Sequence, residues 1–449
     1  MFSTDDSIVA VATPPGRGGI GVVRISGPAS REIAAAMLTR REPLEARHAT
    51  FTRVIAQSTS VIDEVIATYF PAPHSYTGEH VVEISAHGSP VVLRAIVGRA
   101  LEAGARLAEP GEFTLRAFLN GKRDLVQAEA VADLIAAATP VQARVACDQL
   151  EGTLTQRIAE IDAELFSLIA QLEASLDFPD EGYHFIEPDE TGRRVGLVVD
   201  QLDDLLAGAR RGRLIREGAV VVVGGRPNVG KSSIFNMLAR ADRAIVAEAA
   251  GTTRDLVSDQ IDIDGLAVTL VDTAGVREAV DAVEREGIAR AERASDVADL
   301  LLVVLDGSEP PNAEDEHLLS RTAGRRRIVV VNKADLPMAI GRQADVNVSV
   351  SARTGAGADE LRRAIARELT GEESLRDPAA ISNMRHITLL EQARTRLVAA
   401  QQLVEAGHTP EEFVLADLQA ARGHLEEVVG TRTSEELLEH IFAKFCVGK

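Results

Sequence analysis

Cysteine, long apolar runs and positive charge are all scarce in this 449-residue sequence. Its two cysteines, Cys147 and Cys446, are too few and too widely separated for a disulfide scaffold or a zinc cluster. No apolar run approaches the roughly 18 residues that a membrane span requires, and the first residues lack the basic region of a signal or transit peptide. We therefore expect a cytoplasmic protein of roughly two to four domains that does not associate with a membrane.

The shortage of positive charge also restricts the partners of the chain. Its formal net charge is −20, and 45% of its residues are hydrophobic, which is typical of a soluble globular protein. Because an acidic surface repels the phosphate backbone, non-specific nucleic-acid binding is disfavoured. An RNA partner would have to contact a local patch such as Arg210–Arg213 or Arg325–Arg327, although a solvated helix end or turn is the simpler interpretation of each.

A phosphate-binding loop follows an apolar strand in the middle of the chain. Residues 225–233 read GRPNVGKSS, directly after the run AVVVV at 219–223. The glycines allow backbone N–H groups to turn toward phosphates, Lys231 can reach the β and γ oxygens, and Ser232 can offer a hydroxyl to Mg²⁺ at a helix N-terminus. The pattern predicts a nucleoside triphosphate site.

The residues that would contact the base indicate guanine. The sequence NKAD at 332–335 follows an apolar strand, and the carboxylate of Asp335 can accept two hydrogen bonds from the guanine edge. Ser351 and Ala352 follow a strand predicted over 346–350 and would cover the base. Each motif is weak alone, but their order and spacing together predict GTP.

Two further segments would supply ligands of the magnesium ion and the γ-phosphate. The sequence LVDTAG at 270–275 is a strand ending in Asp272, which can hold the Mg²⁺ shell, followed by Gly275, whose N–H can contact the γ-phosphate. Upstream, GTTRD at 251–255 supplies hydroxyls for the metal. These motifs predict a GTPase domain over residues 216–375 with a mostly parallel sheet.

The water that attacks GTP has no obvious partner, because Val276 stands where Ras-like proteins place a glutamine. The carboxylates that follow do not reveal by position whether they are catalytic or part of a solvated loop. They are Glu278, Asp281, Glu284 and Glu286. A bound monovalent cation could supply the missing charge between the phosphates, with the neutral amide oxygen of Asn228 as one ligand.

The remaining sequence divides into three parts around this domain. Residues 1–120 alternate strand-like runs with helical segments and predict a compact α+β domain. Residues 121–215 and 376–449 show helical apolar spacing. We therefore predict a multidomain α/β plus α protein, in which a Ras-like GTPase domain is inserted into a helical bundle formed from two sequence segments.

Outside the GTPase domain the candidate functional residues are less specific. The sequence TPPGRGG at 13–19 lacks a following Lys-Ser/Thr and predicts a hairpin turn rather than a second phosphate site. A pterin ring would need a carboxylate, and the glutamate tail of a folate would need cations. Arg24, Glu83 and Lys122 could provide them, but their spacing does not single them out. Cys446 is either a buried small side chain or an accessible functional thiol.

Three longer motifs in the N-terminal region and one at the end of the sequence accompany the GTPase motifs. They are TPPGRGGIGVVRISG at 13–27, SYTGEHVVE at 75–83, PGEFTLRAFLNGK at 110–122 and FCVGK at 445–449. In this order the motifs resemble the MnmE (TrmE) family of tRNA-modification GTPases. The resemblance implies an N-terminal tetrahydrofolate-binding and dimerisation domain, a homodimer, and an FAD-containing partner of the MnmG family in a heterotetramer or larger complex. Together the two proteins would use a folate-derived one-carbon unit to add a carboxymethylaminomethyl group to C5 of the wobble uridine of certain tRNAs.

Carried over by matching position, the resemblance implies residue roles. The ligands of a 5-formyl or methylene tetrahydrofolate would be Arg24, Glu83, Lys122 and Lys449. Those of K⁺ would be Asn228, Ala247, Ala249 and Thr252, and those of Mg²⁺ would be Ser232 and Thr253. Glu284 and Cys446 would be the catalytic residues. Members often have a hydroxyl residue where this chain has Ala247, so only its backbone carbonyl could bind the ion.

The GTP-binding residues implied by the resemblance lie in the motifs described above or directly beside them. They are Asn228, Val229, Gly230, Lys231, Ser232, Ser233, Ala247, Glu248, Ala249, Ala250, Gly251, Thr252, Thr253, Asp272, Thr273, Ala274, Gly275, Asn332, Lys333, Asp335, Ser351, Ala352 and Arg353.

These assignments predict a switch mechanism. GTP and K⁺ would bring two GTPase domains together, the cation would replace an arginine finger, and Glu284 would position the water indirectly. Closure of the two GTPase domains would be transmitted through the helical domain to the region that contains the folate site and Cys446. Two alternatives stay open. One is a ribosome-assembly GTPase, although no KH-type GxxG follows the GTPase domain, and the other is a regulatory scaffold with a vestigial folate fold.

Overall fold

The computed structural model shows two compact units of the chain. It describes residues 5–177, 186–241, 257–272, 298–340, 346–371, 381–406 and 410–449. The first unit comprises Met1–Ala132, Gln149–Ile186 and His408–Lys449. The second comprises Asp133–Asp148 and Glu187–Gly407. The N-terminal α+β region therefore belongs to the first unit and the GTPase region to the second, whereas the helical segments are divided between them.

The helices and strands of the described ranges are numbered in chain order. The strands are β1 (Ile8–Val11), β2 (Ile20–Ser26), β3 (Thr50–Ile55), β4 (Val61–Phe70), β5 (Val81–His87), β6 (Arg106–Leu107), β7 (Ala219–Gly224), β8 (Val257–Ile263), β9 (Leu266–Asp272), β10 (Leu300–Asp306), β11 (Arg327–Asn332) and β12 (Val348–Ser349). The helices are α1 (Ser30–Met37), α2 (Pro90–Glu102), α3 (Glu112–Leu119), α4 (Leu125–Ala136), α5 (Pro140–Leu150), α6 (Thr153–Asp177), α7 (Pro188–Leu206), α8 (Ala209–Glu217), α9 (Lys231–Ala241), α10 (Ala313–Arg321), α11 (Ala358–Thr370), α12 (Met384–Ala406), α13 (Glu411–Val429) and α14 (Glu435–Phe442). None of the helices in these ranges has the apolar length that crossing a bilayer requires.

A six-stranded sheet forms the centre of the first unit. Its order is β3-β4-β5-β2-β1-β6, and the pairs are antiparallel except for β1–β6. Alternate strand residues point to one face, where Ile33 of α1 and Ile96 of α2 pack against them. Helix α2 begins with Pro90, because proline lacks the N–H that the first helical turn cannot use. The alternation of strands and helices predicted for residues 1–120 is confirmed.

The second unit contains another six-stranded sheet, in the order β12-β11-β10-β7-β9-β8. Its strands are parallel except for the β8–β9 hairpin. Every residue of β10 is buried, as expected of a parallel strand covered on both faces. The carboxyl ends of β7, β10 and β11 meet at one edge and bring their following loops together. The mostly parallel sheet is confirmed, but the strand predicted over 346–350 is reduced to Val348–Ser349.

Helices from the two predicted helical stretches pair with each other in both units. In the first unit α6 packs against α13, and Arg422 forms an ion pair with Asp162. In the second unit α7 packs against α12, and Arg394 forms an ion pair with Asp203. Each amphipathic helix thereby covers the apolar stripe of its partner. That these helices form one bundle around an inserted domain stays a prediction.

Candidate functional site

The phosphate loop lies between β7 and α9, at the carboxyl edge of the second sheet. Two of its glycines have backbone angles that other residues adopt only with strain, since φ is +155° at Gly225 and +95° at Gly230. A Cβ atom at Gly225 would lie 2.6 Å from the carbonyl oxygen of Val304, and one at Gly230 would lie 2.2 Å from Nδ2 of Asn332. Close contacts therefore require both glycines.

Lys231 begins α9, and its side chain turns back into this loop. The side chain is buried, and Nζ donates hydrogen bonds to the carbonyl oxygens of Gly225 and Arg226, each at 2.9 Å. The ammonium group therefore lies at a helix N-terminus, where the helix dipole and unpaired backbone N–H groups favour an anion. This arrangement is suited to phosphate oxygens.

Ser232 and Asp272, the first predicted magnesium ligand and the residue predicted to hold its shell, are neighbours. Ser232 Oγ donates a 2.7 Å hydrogen bond to Oδ2 of Asp272, which ends β9 and is 3% exposed. Hydroxyl and carboxylate oxygens are the hard donors that Mg²⁺ prefers. This donor pair fits the ion, while Thr253 lies outside the described residues.

Asn332 connects the phosphate loop with the loop that would cover the base. Its Nδ2 donates a 2.9 Å hydrogen bond to the carbonyl oxygen of Val229, and its Oδ1 accepts one of 3.1 Å from the N–H of Ala352. Asn332 is buried, so these bonds are protected from competing water. One side chain thus joins two of the predicted motifs.

Asp335, the predicted guanine reader, has two side-chain partners within the protein. Ser351 Oγ donates a 2.5 Å hydrogen bond to Oδ1, and Nη2 of Arg353 lies 2.6 Å from Oδ2. The Ser351 hydrogen bond, aided by the charge of Arg353, holds the pKa of Asp335 below its ordinary value of 3.8. Arg353 and the N–H donors of a guanine would therefore compete for the same carboxylate.

Asp306 is a residue of this site that the sequence analysis did not identify. It ends β10, is buried, and forms an ion pair with Lys333 of the NKAD motif. Ser308 also donates to it, through the backbone N–H at 3.0 Å and Oγ at 2.6 Å. Burial raises the pKa of Asp306, but the hydrogen bonds from Lys333 and Ser308 outweigh it and leave the pKa below 3.8. A carboxylate at the carboxyl end of a buried parallel strand was the available signal.

Many predicted nucleotide and ion ligands lie outside the described residues. They are Ala247, Glu248, Ala249, Ala250, Gly251, Thr252, Thr253, Thr273, Ala274 and Gly275, together with Glu284 and the other three carboxylates considered for hydrolysis. Of the predicted K⁺ ligands the structure describes Asn228, which is exposed and has φ of +65°. Its neutral amide oxygen fits a monovalent cation.

The first unit contains a second polar site, built around Arg24 and Glu83. These residues face each other on the antiparallel strands β2 and β5, and Nε and Nη2 of Arg24 lie 2.9 and 2.8 Å from Oε1 of Glu83. The guanidinium also lies over two aromatic rings, 5.1 Å from the centre of Tyr76 and 5.7 Å from that of Phe113. A cation held by a carboxylate and two rings has few alternative positions.

The segments that carry Lys122 and Lys449 contact Tyr76 and Phe113 from other parts of the sequence. Arg123, the neighbour of Lys122, lies 5.5 Å over the ring of Tyr76. The carbonyl oxygen of Lys449 accepts a 3.2 Å hydrogen bond from the backbone N–H of Phe113. The structure therefore places Arg24 and Glu83 beside Tyr76 and Phe113, two residues that no periodicity or spacing had marked. That the side chains of Lys122 and Lys449 bind a folate stays a prediction.

The final segment, residues 446–449, is held beside this site by its backbone. Val447 forms an antiparallel bridge with Pro110. The N–H of Gly111 donates a 3.4 Å hydrogen bond to the carbonyl oxygen of Cys446. Together with the bond from Phe113 to Lys449, these contacts fix the segment along its whole length.

Gly448 is the tightest point of the final segment. Its φ is +95°, and a Cβ atom there would lie 2.2 Å from the carbonyl oxygen of Val11. Cys446 is exposed and lies beyond the end of α14. Of the two interpretations of this cysteine, the structure therefore favours the accessible thiol over the buried small side chain.

A buried ion network supports the turn that carries Tyr76. Arg116 is 1% exposed, and its guanidinium lies 2.5 Å from Asp6, 3.1 Å from Glu79 and 2.9 Å from Glu112. Burial lowers the pKa of Arg116, but the carboxylates outweigh it and raise the pKa. Burial likewise raises the pKa of Glu112, but hydrogen bonds from neighbouring arginines leave it below 4.5. Because Glu79 and Tyr76 share one turn, the network fixes a wall of the site.

Comparison with known proteins covers the full chain. The family model described as the MnmE helical domain matches residues 125–446, and the model of the GTP-binding protein TrmE N-terminus matches residues 7–122. The chain is 45% identical to the tRNA modification GTPase MnmE of Koribacter versatilis over 100% of both chains, and 44% identical to that of Thiobacillus denitrificans over 99% of this chain and 98% of the relative. Among solved structures, Aquifex aeolicus Era bound to GDP and AlF4⁻ is similar at 26% identity and a TM-score of 0.27, over 40% of this chain and 66% of that one.

Proposed function

Because the chain belongs to the MnmE family of tRNA modification GTPases, we propose that its GTP hydrolysis drives the addition of a carboxymethylaminomethyl group to C5 of the wobble uridine of certain tRNAs. It is a GTP-hydrolysing enzyme with a role in tRNA modification, since identity to its relatives extends over its whole length. The observation that most supports the proposed wobble-uridine chemistry is the Arg24–Glu83 site, with the exposed Cys446 on the segment bound beside it.

The phosphate loop would hold the phosphates of the nucleotide, and the NKAD motif would hold its base. Lys231 would contact the β and γ oxygens, and Asp335 would accept the N–H donors of guanine after Arg353 has moved away from it. Bound Mg²⁺ supplies positive charge between the phosphates. Ser232 and Asp272 would hold that ion, because their oxygens already lie within hydrogen-bond distance of each other.

Hydrolysis would depend on a monovalent cation and on the dimer. Asn228, with Ala247, Ala249 and Thr252, would hold K⁺ where two GTPase domains of a homodimer meet, and Glu284 would orient the water indirectly. Bound K⁺ supplies the charge that an arginine finger gives in other GTPases. Equal turnover in Na⁺ and K⁺ at matched ionic strength would contradict this. Glu284→Ala should lower turnover while GTP affinity stays near normal.

The second site would bind a tetrahydrofolate derivative in its 5-formyl or methylene form. Glu83 offers a carboxylate to the donor edge of a pterin, and Tyr76 and Phe113 offer flat apolar surfaces. Arg24, Lys122 and Lys449 would serve the carboxylates of the glutamate tail. Calorimetric titration should show folate binding that Glu83→Ala abolishes and that Glu64→Ala, a change to a strand glutamate that pairs with Arg53 instead, leaves intact.

The complete enzyme would be larger than one chain. We assign residues 1–120 to folate binding and dimerisation, 121–215 and 376–449 to a helical domain, and 216–375 to the inserted GTPase domain. The homodimer would work in the cytoplasm with an FAD-containing protein of the MnmG family, in a heterotetramer or larger complex that binds tRNA. The thiol of Cys446 would act close to the folate.

The decisive experiment is nucleoside mass spectrometry of tRNA from a strain lacking this gene. Complementation with the wild type should restore the wobble modification, and complementation with Cys446→Ser should not. Cys147→Ser is the matched control, because Cys147 is the other exposed cysteine and has no assigned role. Unchanged wobble uridines in the deletion strain would contradict the proposal and direct attention to ribosome assembly.

A further inference from the structure

Arg226, the second residue of the phosphate loop, has no assigned role, yet it is held from two sides. Its backbone carbonyl accepts the 2.9 Å hydrogen bond from Nζ of Lys231. Its side chain is 16% exposed and forms two ion pairs, with Nε 3.1 Å from Asp315 and Nη2 2.7 Å from Glu309. The same residue therefore joins the lysine of the loop to an acidic pair outside it.

The two carboxylates differ in their surroundings. Glu309 is 60% exposed, so its ion pair is screened by water and contributes little. Asp315 is 2% exposed, and a buried carboxylate is stable only with a charged or hydrogen-bonding partner. Its Oδ2 accepts from Arg226 and from the N–H of Asn312, while Oδ1 has no hydrogen-bond partner in the part of the chain that the structure describes. Arg226 is thus fixed mainly by the buried Asp315.

The backbone on either side explains why a fixed side chain matters at this position. Gly225 has no side chain, so it cannot anchor the direction of the chain through side-chain contacts of its own. Pro227 limits Arg226 to extended conformations without choosing one of them. The ion pair with Asp315 adds the missing restraint, because it sets where the side chain of Arg226 can lie and hence where its carbonyl points.

We propose that Arg226 is a positioning residue of the GTPase site, anchored by Asp315, which aims the loop carbonyl that orients the ammonium group of Lys231 toward the β and γ phosphates. Arg226 does not touch the nucleotide in this role. Asp315 also closes the N-terminal cap of α10 with Asn312, whose Oδ1 accepts from the N–H groups of Glu314 and Asp315. The test has to separate loss of that cap from loss of the anchor.

Steady-state GTP hydrolysis by the full chain, with potassium present, should be compared across five variants. Arg226→Ala and Asp315→Asn should each lower kcat/KM by roughly 10- to 100-fold, because a small misplacement of a phosphate-contacting group has effects of that size. Glu309→Gln should change it less than about twofold, as expected for an exposed pair. Asn312→Ala removes the cap without touching Arg226 and should also change it less than about twofold. Arg226→Lys, which keeps one charged donor for Asp315, should recover part of the loss.

A double-mutant cycle gives a readout that a merely structural role would not change. Affinity for a fluorescent GDP should be measured for Arg226→Ala, Lys231→Ala and the double variant, each with an unchanged thermal unfolding midpoint. If Arg226 acts through Lys231, its substitution should have no further effect once Lys231 is absent. Additive losses of affinity would overturn the proposal, as would an Asn312→Ala variant as impaired as Asp315→Asn.

Discussion

Gly230 in the phosphate loop and Gly448 in the final segment have the same backbone angle φ, and an added Cβ would meet its nearest atom at the same distance. Both have φ of +95°, and a Cβ atom at either would lie 2.2 Å from another atom. The loop glycine lies between strand β7 and helix α9 of the second unit, whereas Gly448 follows the last helix, in a segment with backbone contacts to Pro110, Gly111 and Phe113. An added Cβ should therefore distort the phosphate loop without detaching it, whereas it should detach the final segment from the first unit. The surroundings of each glycine thus determine which function is lost.

The largest effect should come from Gly230→Ala. The unfavourable φ costs roughly 1–3 kcal/mol, and the clash with Asn332 adds to it because that side chain is itself bonded to Val229 and Ala352. We expect affinity for a fluorescent GDP to fall by roughly 100-fold or more. Gly324→Ala is the control, since a Cβ there meets no atom within 4 Å. Near-normal affinity of Gly230→Ala would show that the loop can move as freely as the final segment.

Gly448→Ala should have the second largest effect, and only in the first unit. The same backbone cost of roughly 1–3 kcal/mol acts on a short segment whose backbone contacts can break together. We therefore expect the wobble modification to be lost while GTP turnover stays within about twofold. Gly98→Ala on α2 is the control, because the added Cβ meets no atom within 4 Å. In a Cys147→Ser background, mass spectrometry should show faster alkylation of Cys446. An unchanged alkylation rate would mean that the final segment stays bound and that Gly448 and Gly230 do not differ in this way.

A smaller effect should come from Glu112→Gln in the buried network of the first unit. The pKa of Glu112 is lower in the folded protein than its ordinary 4.5, so its stabilising contribution is present above that pH and is lost as the pH falls through the folded-state value. Removing it should cost roughly 1–3 kcal/mol near neutral pH and make thermal stability less dependent on pH below about 4.5.

Glu190 is the matched control for that variant. Its pKa is also lowered, by a hydrogen bond from Arg193, but the pair is on the surface of α7 in the second unit. Glu190→Gln should leave the unfolding midpoint unchanged across the same pH range. Equal losses in the two variants would show that burial of the network is not what distinguishes Glu112.

The smallest effect should come from Arg353→Ala, and its direction is the informative part. Arg24 and Arg353 each pair with a carboxylate that would read a ligand, but the Arg24 side chain is 14% exposed and that of Arg353 is 75% exposed. Because Arg353 competes with guanine for Asp335, its removal should tighten GDP binding by about two- to fivefold. The change can be measured by competition with a fluorescent analogue. Weaker binding would instead assign Arg353 to direct contact with the nucleotide.

The nucleotide site of the second unit was largely predictable because its signals are local. The glycines, Lys231 and Ser232 occupy one short stretch, and Asp335 belongs to a four-residue motif that begins at the last residue of a buried strand. Parallel strands then bring these stretches together by geometry alone. Asp306 and Asp315 were missed, because a single carboxylate after a strand or in a first helical turn looks like an ordinary cap or surface charge.

The Arg24–Glu83 site was predictable only through resemblance. Its parts come from strands β2 and β5, the turn with Tyr76, helix α3 with Phe113, and the final segment. No residue pattern reports a contact between positions so far apart in sequence. The short β12 was missed for a related reason: alternating residues indicate burial on one side but do not show how many of them find a partner strand.

The pairing of α6 with α13 sets an order of events during synthesis. Asp162 and Arg422, which join the two helices, are 260 positions apart. At roughly 5–20 residues per second, a ribosome needs on the order of 10–50 seconds to make that stretch. During this time α6 is outside the ribosome without the helix that covers its apolar stripe, while the strands of the second sheet can already pair with one another. We therefore expect this apolar stripe of the nascent chain to stay uncovered by α13 until that helix emerges.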